Sequence, residues 1–334
     1  MLLLIGRKIL KILFVTDYYK NDTNGVNTIL EGFIDVLNKE HTIKVLRPDY
    51  IDMLGKYVAN PGKVAKMIDD YEPDIIHMCN DMAICRMVAR YCEINNKEYT
   101  ASYGTHYSLY DTVGHIFEDE NVLEYKRHFY NNAKLTLVPT DNWVNTLQEY
   151  NFKNVYKCKR FAVDSIKYNI VKSRKPSGII FAGRIDYNRN LDDILTWDGE
   201  TKLAGPVMSN QLDHYIKMDK FEGNKILGKL TADELNIEFN KSKVLVFPCH
   251  NEAFGLVMLE AMAAGIPVVA YAGQPGPDEI IINGVNGLLS NEHLHSTISK
   301  AMKMNWNRQA IRDTALQYTW KKAAGEWMKY HETF

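Results

Sequence analysis

The chain has 334 residues, of which 46% are hydrophobic and 24% are charged, and its formal net charge is -1. This is the composition of an ordinary globular protein, and because single hydrophobic cores stop growing near ~250–300 residues, it predicts two domains. A protein that mainly coats nucleic acid or anionic lipid usually carries a clear positive excess. The charge balance argues against that class and leaves only a local basic patch open.

The five cysteines are scattered along the chain and form no C-x-x-C pair. The sequence therefore indicates neither a zinc ribbon nor a disulfide framework, and it favours a reducing compartment. The apolar start at residues 1–5 is shorter than a signal peptide and far shorter than a membrane span. We expect a cytoplasmic protein without stable membrane insertion.

Short apolar runs alternate with longer amphipathic stretches in the first half of the chain. The apolar runs predict strands at residues 9–16, 42–46, 74–78, 99–103 and 135–139, and the amphipathic stretches predict helices at 26–38, 63–71, 82–95 and 122–133. Continuous Val, Ile and Leu runs are typical of strands buried on both faces. The alternation therefore predicts a parallel sheet with helices on both sides.

The alternation stops at residues 164–177, a polar stretch rich in Lys and Arg that we interpret as an interdomain linker. A second α/β unit follows, with strands predicted at 178–183, 225–227, 244–248 and 267–271. The pattern from Thr231 to Glu234 is a capping box and predicts the start of a helix. Residues 188–221 are predicted to be irregular, and a last helix is predicted at 320–331.

The residues with the clearest chemical pattern lie at 250–267, after a predicted buried strand and at the start of a predicted helix. Free N–H groups at a helix start form an anion site, and Gly255 would let a phosphate approach closely. Glu252 precedes this helix. Glu260 lies inside it, where Leu, Val, Met and Ala neighbours leave almost no polar face, so its carboxylate needs a partner. This favours a functional role over that of a solvated helix residue.

This stretch resembles the E-x7-E signature of retaining GT-B glycosyltransferases that use nucleotide sugars. Glu252 and Glu260 match its two glutamates, and Phe254-Gly255-Leu256 matches its phosphate-facing turn. Other family motifs match in the same order: P-D-I-I-H at 73–77, the T-H turn at 105–106, F-A-V-D at 161–164 for N-G-V-D, F-A-G-R at 181–184 with Arg189 for G-R-x4-K, residues 274–287 for the G-G-x-x-E…G-x-x-G tail, and T-W at 319–320 for the S-W of the last helix. The chain departs from the family at Arg189, where lysine is usual.

The resemblance implies a GT-B fold, an α/β architecture of two Rossmann-like doubly wound domains facing a central cleft. The N-terminal, acceptor-side domain is expected at residues 1–165, and the nucleotide-sugar domain at 166–318. Residues 319–334 are expected to form a helix that packs back on the N-terminal domain.

The resemblance also assigns donor-binding roles. It places the nucleobase near Lys229 and Leu230, the ribose on Glu260, the sugar hydroxyls on Glu252, and the diphosphate against Arg184, Arg189 and the amides of Phe254, Gly255 and Leu256. Fixed cations beside a diphosphate leaving group lower the barrier, because the group gains negative charge in the transition state. Arg184 and Arg189 therefore have a physical reason of their own to act on the leaving group.

His106 completes the catalytic candidates, with Arg184 and Glu252. The acceptor is expected to enter past Gly25 and His106, and Gly25 would let the backbone of the first helix approach the donor. No D-x-D triplet is present, so we expect no metal and no cofactor beside the nucleotide sugar, with the arginines and the helix N-terminus supplying the positive charge.

UDP-glucose or another UDP-hexose is the first expectation for the donor, and GDP-mannose is the second. A GT-B nucleotide-sugar epimerase, a phosphorylase and a non-catalytic nucleotide-sugar-binding module are the alternatives. The acceptor stays open among a glycan, a glycolipid and a modified nucleic acid, although the net charge of -1 disfavours nucleic acid. The oligomeric state stays open as well.

Two other patterns compete with these interpretations. Residues 223–229 fit most of a Walker A loop, but Leu230 stands where the magnesium-binding hydroxyl would be, so a strand and a turn are predicted instead. The basic run at residues 153–175 fits an anionic acceptor and a solvated linker equally well.

Overall fold

The computed structural model describes residues 8–18, 25–48, 50–51, 57–104, 120–172, 175–186, 189–207, 224–250, 252 and 254–333. The chain forms two compact units. The first contains the described residues up to 104, residues 120–161 and the C-terminal helix Trp320–Thr333, and the second contains the described residues of 162–319. The first division therefore falls a few residues before the expected boundary at 165, and the last helix returns to the first unit.

The first unit contains a parallel sheet and a short antiparallel hairpin. In chain order its strands are β1 (Lys11–Val15), β2 (Thr42–Leu46), β3 (Tyr50–Ile51), β4 (Tyr57–Val58), β5 (Ile75–Met78), β6 (Thr100–Ser102), β7 (Thr136–Val138) and β8 (Val155–Lys157). The hairpin is β3–β4, and the other six strands pair in the order β2-β1-β5-β6-β7-β8. The strand order reverses between β1 and β5, and ligands of open parallel sheets bind at such a point, outside the carboxyl ends of the strands.

Helices cover this sheet. They are α1 (Gly25–Leu37), α2 (Pro61–Tyr71), α3 (Ala83–Ile94), α4 (Glu120–Asn131) and α5 (Asp141–Glu149). The sequence prediction missed α5, although Thr140 caps it by accepting the N–H of Trp143. It also missed β8, which lies inside the basic run and at the sheet edge, where a strand needs no long apolar pattern.

The C-terminal helix Trp320–Thr333 packs on α1 and on the sheet of the first unit. A side chain at Gly32 would overlap the ring of Trp320, so the close approach to α1 requires glycine there. Trp327 is fully buried, 5.3 Å from Phe14 between ring centroids. Burial of aromatic rings of this size is a large apolar gain, and it joins the end of the chain to the first unit.

His77, at the sheet interior, takes part in a hydrogen-bond relay to this helix. Its Nε2 lies 2.7 Å from Ser102 Oγ, and its Nδ1 lies 2.7 Å from Thr100 Oγ1, which in turn lies 2.9 Å from His331 Nε2. His331 Nδ1 donates to the carbonyl of Trp327. Burial lowers the pKa of both histidines, to about 4 for His331, so both rings are neutral and the relay has one consistent direction.

The second unit contains one parallel sheet. Its strands are β9 (Ile179–Ala182), β10 (Thr201–Ala204), β11 (Asn224–Gly228), β12 (Val244–Phe247), β13 (Val268–Tyr271) and β14 (Gly287–Ser290). They pair in the order β11-β10-β9-β12-β13-β14, so the order reverses between β9 and β12. The strand at β11 confirms the strand-and-turn interpretation of the Walker-like pattern.

The helices of this unit are α6 (Asp192–Leu195), α7 (Ala232–Asn240), α8 (Leu256–Ala263), α9 (Pro275–Ile280), α10 (Leu294–Lys303) and α11 (Arg308–Ala315). The capping box at the start of α7 is confirmed, because Thr231 and Glu234 bond each other's backbone N–H. The prediction of irregular structure at 188–221 is wrong for α6 and β10. The strand β10 contains Lys202, which is buried beside Glu200 and Glu238 and interrupts the apolar pattern.

The stretch at 164–177, interpreted as a linker, is corrected where the structure describes it. Tyr168 is buried, and the carbonyl of Tyr168 accepts a 2.7 Å hydrogen bond from Arg312 Nη1. The N–H of Val171 donates to Asn240 Oδ1 at 2.8 Å. Its exposed lysines, Lys167, Lys172 and Lys175, make the stretch polar, while the described backbone at Tyr168 and Val171 is bonded to the second unit.

All five cysteines are free, which confirms that the scattered pattern is not a disulfide framework. Among the described residues, no helix combines the length and the apolar character that crossing a bilayer requires.

Candidate active site

The candidate site of the second unit lies where its strand order reverses. Strands β9 and β12 are parallel neighbours, so the loops after their carboxyl ends meet at one edge of the sheet. The loop after β9 carries Arg184, and the loop after β12 carries Glu252. This is the edge at which open α/β sheets bind ligands.

The helix α8 begins at this edge and confirms the predicted helix start. Gly255 precedes it with a left-handed φ of +83°, and a side chain there would lie 2.8 Å from Met258 Cε and 3.1 Å from Phe247 Cζ. No side chain of the described residues caps the helix. The N–H of Met258 donates to the carbonyl of Gly255 at 3.0 Å. The N–H groups of Leu256 and Val257, at the positive end of the helix dipole, can therefore bind an anion.

Glu252 and Arg189 form an ion pair. Arg189 Nη1 donates to Glu252 Oε2 at 2.8 Å and lies 3.6 Å from Cys249 Sγ, and the two side chains are 15% and 23% exposed. Burial opposes the charge of Arg189, but Glu252 and Cys249 outweigh it, so the pKa of the guanidinium is raised. Arg189, assigned to the diphosphate from sequence, thus contacts the residue assigned to the sugar.

Arg184 follows β9 and is half-buried, with its Nε 4.0 Å from Asp186 Oδ2. Asp186 is 6% exposed, and its Oδ1 has no hydrogen-bond partner among the described residues. Ile185, between them, forms a bridge to Val207. Alternation along an extended segment puts Arg184 and Asp186 on one side. Asp186 was not among the site residues predicted from the sequence, although the alternation from Arg184 indicates it.

Glu260 lies in the second turn of α8 and is half-buried. Burial raises the pKa of its carboxyl to about 7, and a hydrogen bond from the hydroxyl of Tyr168 partly offsets this. The sequence predicted that the Glu260 carboxylate needs a partner, and in the structure this partner is Tyr168. The sequence analysis missed Tyr168 because it placed this residue in a linker.

Hydrogen bonds from two arginines hold the segment that contains Tyr168 against the carboxyl end of α8. Arg312 donates to the carbonyls of Ser165 and Ala263. Arg308 Nη2 donates to the carbonyl of Ala264 at 2.8 Å, and its Nη1 donates to the carbonyl of Val171 at 3.4 Å. The carbonyls at a helix end lack partners within the helix, and cations there are also favoured by the helix dipole. These two arginines therefore hold Tyr168 in register with Glu260.

Lys229 and Leu230 follow the edge strand β11, which ends at Gly228 with a φ of +70°. Lys229 is exposed and Leu230 is half-buried. They lie at the same sheet edge as Arg184 but two strands away from β9, which is roughly 10 Å. The candidate residues of this unit therefore line one edge from β11 to β12.

Two candidates belong elsewhere. Gly25 begins α1 in the first unit, after β1. His106 lies outside the described residues, as does Thr105.

Residues 203–323 match the family described as glycosyl transferases group 1. A GDP-mannose-dependent alpha-mannosyltransferase of Corynebacterium glutamicum is 24% identical over 260 residues, which are 74% of this chain and 62% of the relative. A glycogen synthase of Mycobacterium tuberculosis is 29% identical over 143 residues, which are 39% of this chain and 34% of the relative. The chain thus spans only part of the length of these relatives.

Two solved structures of low sequence identity have the same fold. Anabaena HepE in complex with UDP and glucose has a TM-score of 0.75 and 15% identity, over 97% of this chain and 100% of HepE. Sucrose-phosphate synthase from Thermosynechococcus elongatus has a TM-score of 0.79 and 15% identity, over 97% of this chain and 98% of the synthase. At this identity the likeness shows the fold.

The family match contains α8, Glu252 and Glu260, and the fold match extends over both units. Residues 203–323 are therefore similar to the group 1 glycosyltransferases, and the chain has the GT-B fold.

Proposed function

We propose that this protein is a retaining glycosyltransferase that moves a hexose from a UDP-hexose, UDP-glucose first, to an acceptor hydroxyl. The observation that carries the proposal is the uncapped start of α8 between two held carboxylates, Glu252 paired with Arg189 and Glu260 bonded to Tyr168. An anion site flanked by two acceptors of sugar hydroxyls fits a nucleotide sugar.

The diphosphate would lie against the first-turn N–H groups of α8, with Arg184 beside it. When the bond to the sugar breaks, negative charge develops on the leaving phosphate, and preorganised donors stabilise that charge more than they stabilise the ground state. Arg184 is half-buried, so solvent screens its charge less than that of a free surface arginine.

Glu260 would accept the two ribose hydroxyls, and the base would lie toward Lys229 and Leu230. Tyr168 fixes the direction of the Glu260 carboxylate before the nucleotide binds. A preoriented carboxylate loses less entropy on binding than a free one, so this contact increases affinity.

Glu252 would bind hydroxyls of the transferred hexose. Its partner Arg189 donates to this carboxylate at 2.8 Å and would position it. The role of Arg189 would then be shared between Glu252 and the leaving group, which suits the forked guanidinium better than the single ammonium of lysine.

For the chemical step we propose attack on the face from which the leaving group departs, with the leaving phosphate taking the acceptor proton. The positive charge would come from Arg184, Arg189 and the α8 amides rather than from a metal, since the chain has no D-x-D triplet. We therefore expect transfer activity to survive EDTA. Complete loss that magnesium restores would contradict this.

A GDP-mannose donor is the second candidate, because the Corynebacterium glutamicum relative is named as GDP-mannose-dependent. UDP is favoured by the complex of HepE with UDP and glucose. Thermal unfolding with UDP, GDP, UDP-glucose and GDP-mannose separates the two donors. A ligand present at a hundred times its dissociation constant should stabilise the fold by about 2.7 kcal/mol.

Product analysis then separates the functional classes. A transferase releases UDP from UDP-glucose slowly in water and quickly with an acceptor. An epimerase would convert the sugar nucleotide without acceptor, and a binding module would stabilise without releasing UDP. Binding of neither nucleotide would contradict the proposed function.

A further inference from the structure

Two aromatic rings are stacked at the carboxyl ends of the strands in the second unit. The ring of His250 lies 4.4 Å from that of Tyr271 between centroids, and the two ring planes are inclined by 23°. His250 follows β12 and Tyr271 is the last residue of β13, and these two strands are parallel neighbours. The stack therefore lies on the sheet edge to which Arg184 and Glu252 belong.

The stack presents an aromatic face to solvent. His250 is exposed and Tyr271 is half-buried, so Tyr271 covers one face of the imidazole and the exposed part is the other face and the ring edge. Ring pairs in the core of the first unit are different, since Phe33 and Trp327 are both buried and meet at an angle of 68°. A pair with an open outer face adds little to the core, and its open face can contact a ligand.

The loop that contains His250 is held in place on both sides of this residue by Arg189. The sulfur of Cys249, the residue before His250, lies 3.6 Å from Arg189 Nη1, and Glu252 Oε2, two residues after His250, lies 2.8 Å from the same nitrogen. Two residues of chain span at most ~7 Å. A ligand that is hydrogen-bonded to the Glu252 carboxylate is therefore within reach of the His250 ring.

The loop after Tyr271 is packed against the residues that lead into α8. A side chain at Gly276, at the start of α9, would lie 2.2 Å from the carbonyl oxygen of Phe254. The N–H of Gly273 donates to Asp278 Oδ1 at 3.1 Å and holds this loop on α9. The stack and the anion site at the start of α8 are therefore built from the same two loops.

A hexose ring has the chemistry that these groups bind. Its hydroxyls lie around the rim of the ring, whereas its faces carry C–H groups whose hydrogens are partly positive because each ring carbon bears oxygen. The face of an aromatic ring has a negative potential and attracts such hydrogens. A carboxylate accepts hydrogen bonds from hydroxyls. Glu252 beside an open aromatic face thus fits the rim and one face of a hexose.

We propose that the His250–Tyr271 stack is a sugar-binding platform, on which one face of the transferred hexose lies while Glu252 binds its hydroxyls. This statement rests on the proposed function, since it takes the ligand to be the hexose of a nucleotide sugar. His250 would contact the sugar, and Tyr271 would be a positioning residue that supports the His250 ring. The platform should therefore affect the affinity for the sugar nucleotide and leave that for the free nucleotide unchanged.

The test titrates UDP and UDP-glucose by calorimetry into wild type, His250→Ala and His128→Ala. His128 is exposed on α4 of the first unit, so His128→Ala makes the same change away from the stack. We expect UDP-glucose to bind about three- to tenfold more weakly to His250→Ala only, with UDP affinity unchanged in both variants. Unchanged UDP-glucose affinity in His250→Ala, or an equal loss for UDP, would overturn the platform.

Two further variants separate the ring face of His250 from its nitrogens. His250→Phe keeps a flat ring and loses both nitrogens, whereas His250→Asn keeps a polar N–H and loses the ring. We expect wild-type UDP-glucose affinity in His250→Phe and the affinity of His250→Ala in His250→Asn. The reverse result would show that the imidazole acts as a hydrogen-bonding group, and it would overturn the platform.

The role of Tyr271 is tested through His250. Tyr271→Leu keeps an apolar side chain and removes the ring that supports the imidazole, so it should weaken UDP-glucose binding and leave UDP binding unchanged. In the His250→Ala background it should have no further effect, because Tyr271 acts only through His250. A full additional loss in that background would overturn the positioning role.

A probe without a nucleotide separates the platform from the proposed function. Saturation-transfer NMR with methyl α-glucoside and with UDP-glucose reports which sugar protons contact the protein. We expect transfer to the ring C–H protons in wild type and in His250→Phe, and its loss in His250→Ala. If UDP does not bind, the proposed function fails, but a His250-dependent transfer to the glucoside would still support the platform. No His250-dependent transfer to either compound would overturn it.

Discussion

The two units have the same architecture, but they differ in whether the charged side chains at the carboxyl ends of their strands are paired with other protein groups. In the second unit the site residues are paired with each other, Arg189 with Glu252 and Tyr168 with Glu260. In the first unit Arg160 is buried without a carboxylate partner among the described residues. The site residues of the second unit are thus paired with one another, whereas the buried charge of Arg160 has no such pair in the described part of the first unit.

The same contrast exists within the first unit. Asp81 and Lys126 are 1% and 3% exposed and form an ion pair. Arg160 is 6% exposed and has no carboxylate partner in the described chain. Burying a charge costs free energy unless a partner compensates it.

The largest expected effect is on the compensated pair. Lys126→Met leaves Asp81 buried with Arg86 Nη2, 3.7 Å away, in place of the partner at 2.8 Å, and we expect unfolding to become easier by about 3 kcal/mol. Urea denaturation of the whole chain measures this. Lys66→Met, which removes one partner of an exposed pair with Asp70, should cost less than about 1 kcal/mol.

Arg160→Gln should cost less than Lys126→Met. It removes a charge that no described carboxylate balances, so it creates no buried orphan charge. If its cost equals that of Lys126→Met, Arg160 has a structural partner, and the contrast between the two charges fails.

The next effect is on the chemical step in the second unit. Arg184→Ala should lower turnover by about 10²–10³-fold, or about 2.7–4 kcal/mol, because it removes a charge that acts as the leaving group departs. Initial rates with UDP-glucose measure it. Lys243→Ala, an exposed residue of the same unit, should leave the rate unchanged, and wild-type turnover in Arg184→Ala would refute the assignment.

The two glutamates should separate binding from turnover. Glu260→Gln should weaken UDP binding at least tenfold, or about 1.4 kcal/mol. Glu252→Gln should leave UDP affinity nearly unchanged and lower turnover, since positioning errors at the reacting ring are amplified in the rate. Calorimetry with UDP beside initial rates tests both. The reverse pattern would mean that the donor lies the other way round.

The smallest effect concerns pH. The pKa of Glu260 is raised to about 7, and the ionised carboxylate is the better acceptor for ribose hydroxyls, so UDP affinity should rise as pH rises through 7. Tyr168→Phe removes the bond that lowers this pKa and should shift the rise to higher pH, with a loss of about 0.5–1.5 kcal/mol at pH 7. Glu260→Gln should lack the rise. A profile that Tyr168→Phe does not move would refute the role of Tyr168.

The sequence alone determined the strands that are buried on both faces and the start of α8. The strands β1, β9 and β12 can be predicted from their continuous apolar runs, because a strand that is buried on both faces requires apolar residues at every position. The capping box at Thr231 and the glycine before α8 are local signals, since a helix start is decided by a few adjacent residues. The same local signals indicated Glu252, Gly255 and Glu260.

Only the tertiary structure decided the partners. Arg189 and Glu252 are 63 residues apart in sequence and meet because β9 and β12 are neighbours in the sheet. Tyr168 reaches Glu260 because Arg308 and Arg312, from α11, hold its segment on α8. In the sequence Arg160 is one of eight basic residues between 153 and 175, and only the fold shows that it is buried. Pairing and burial depend on which distant segments the sheet brings together, and no local pattern encodes that.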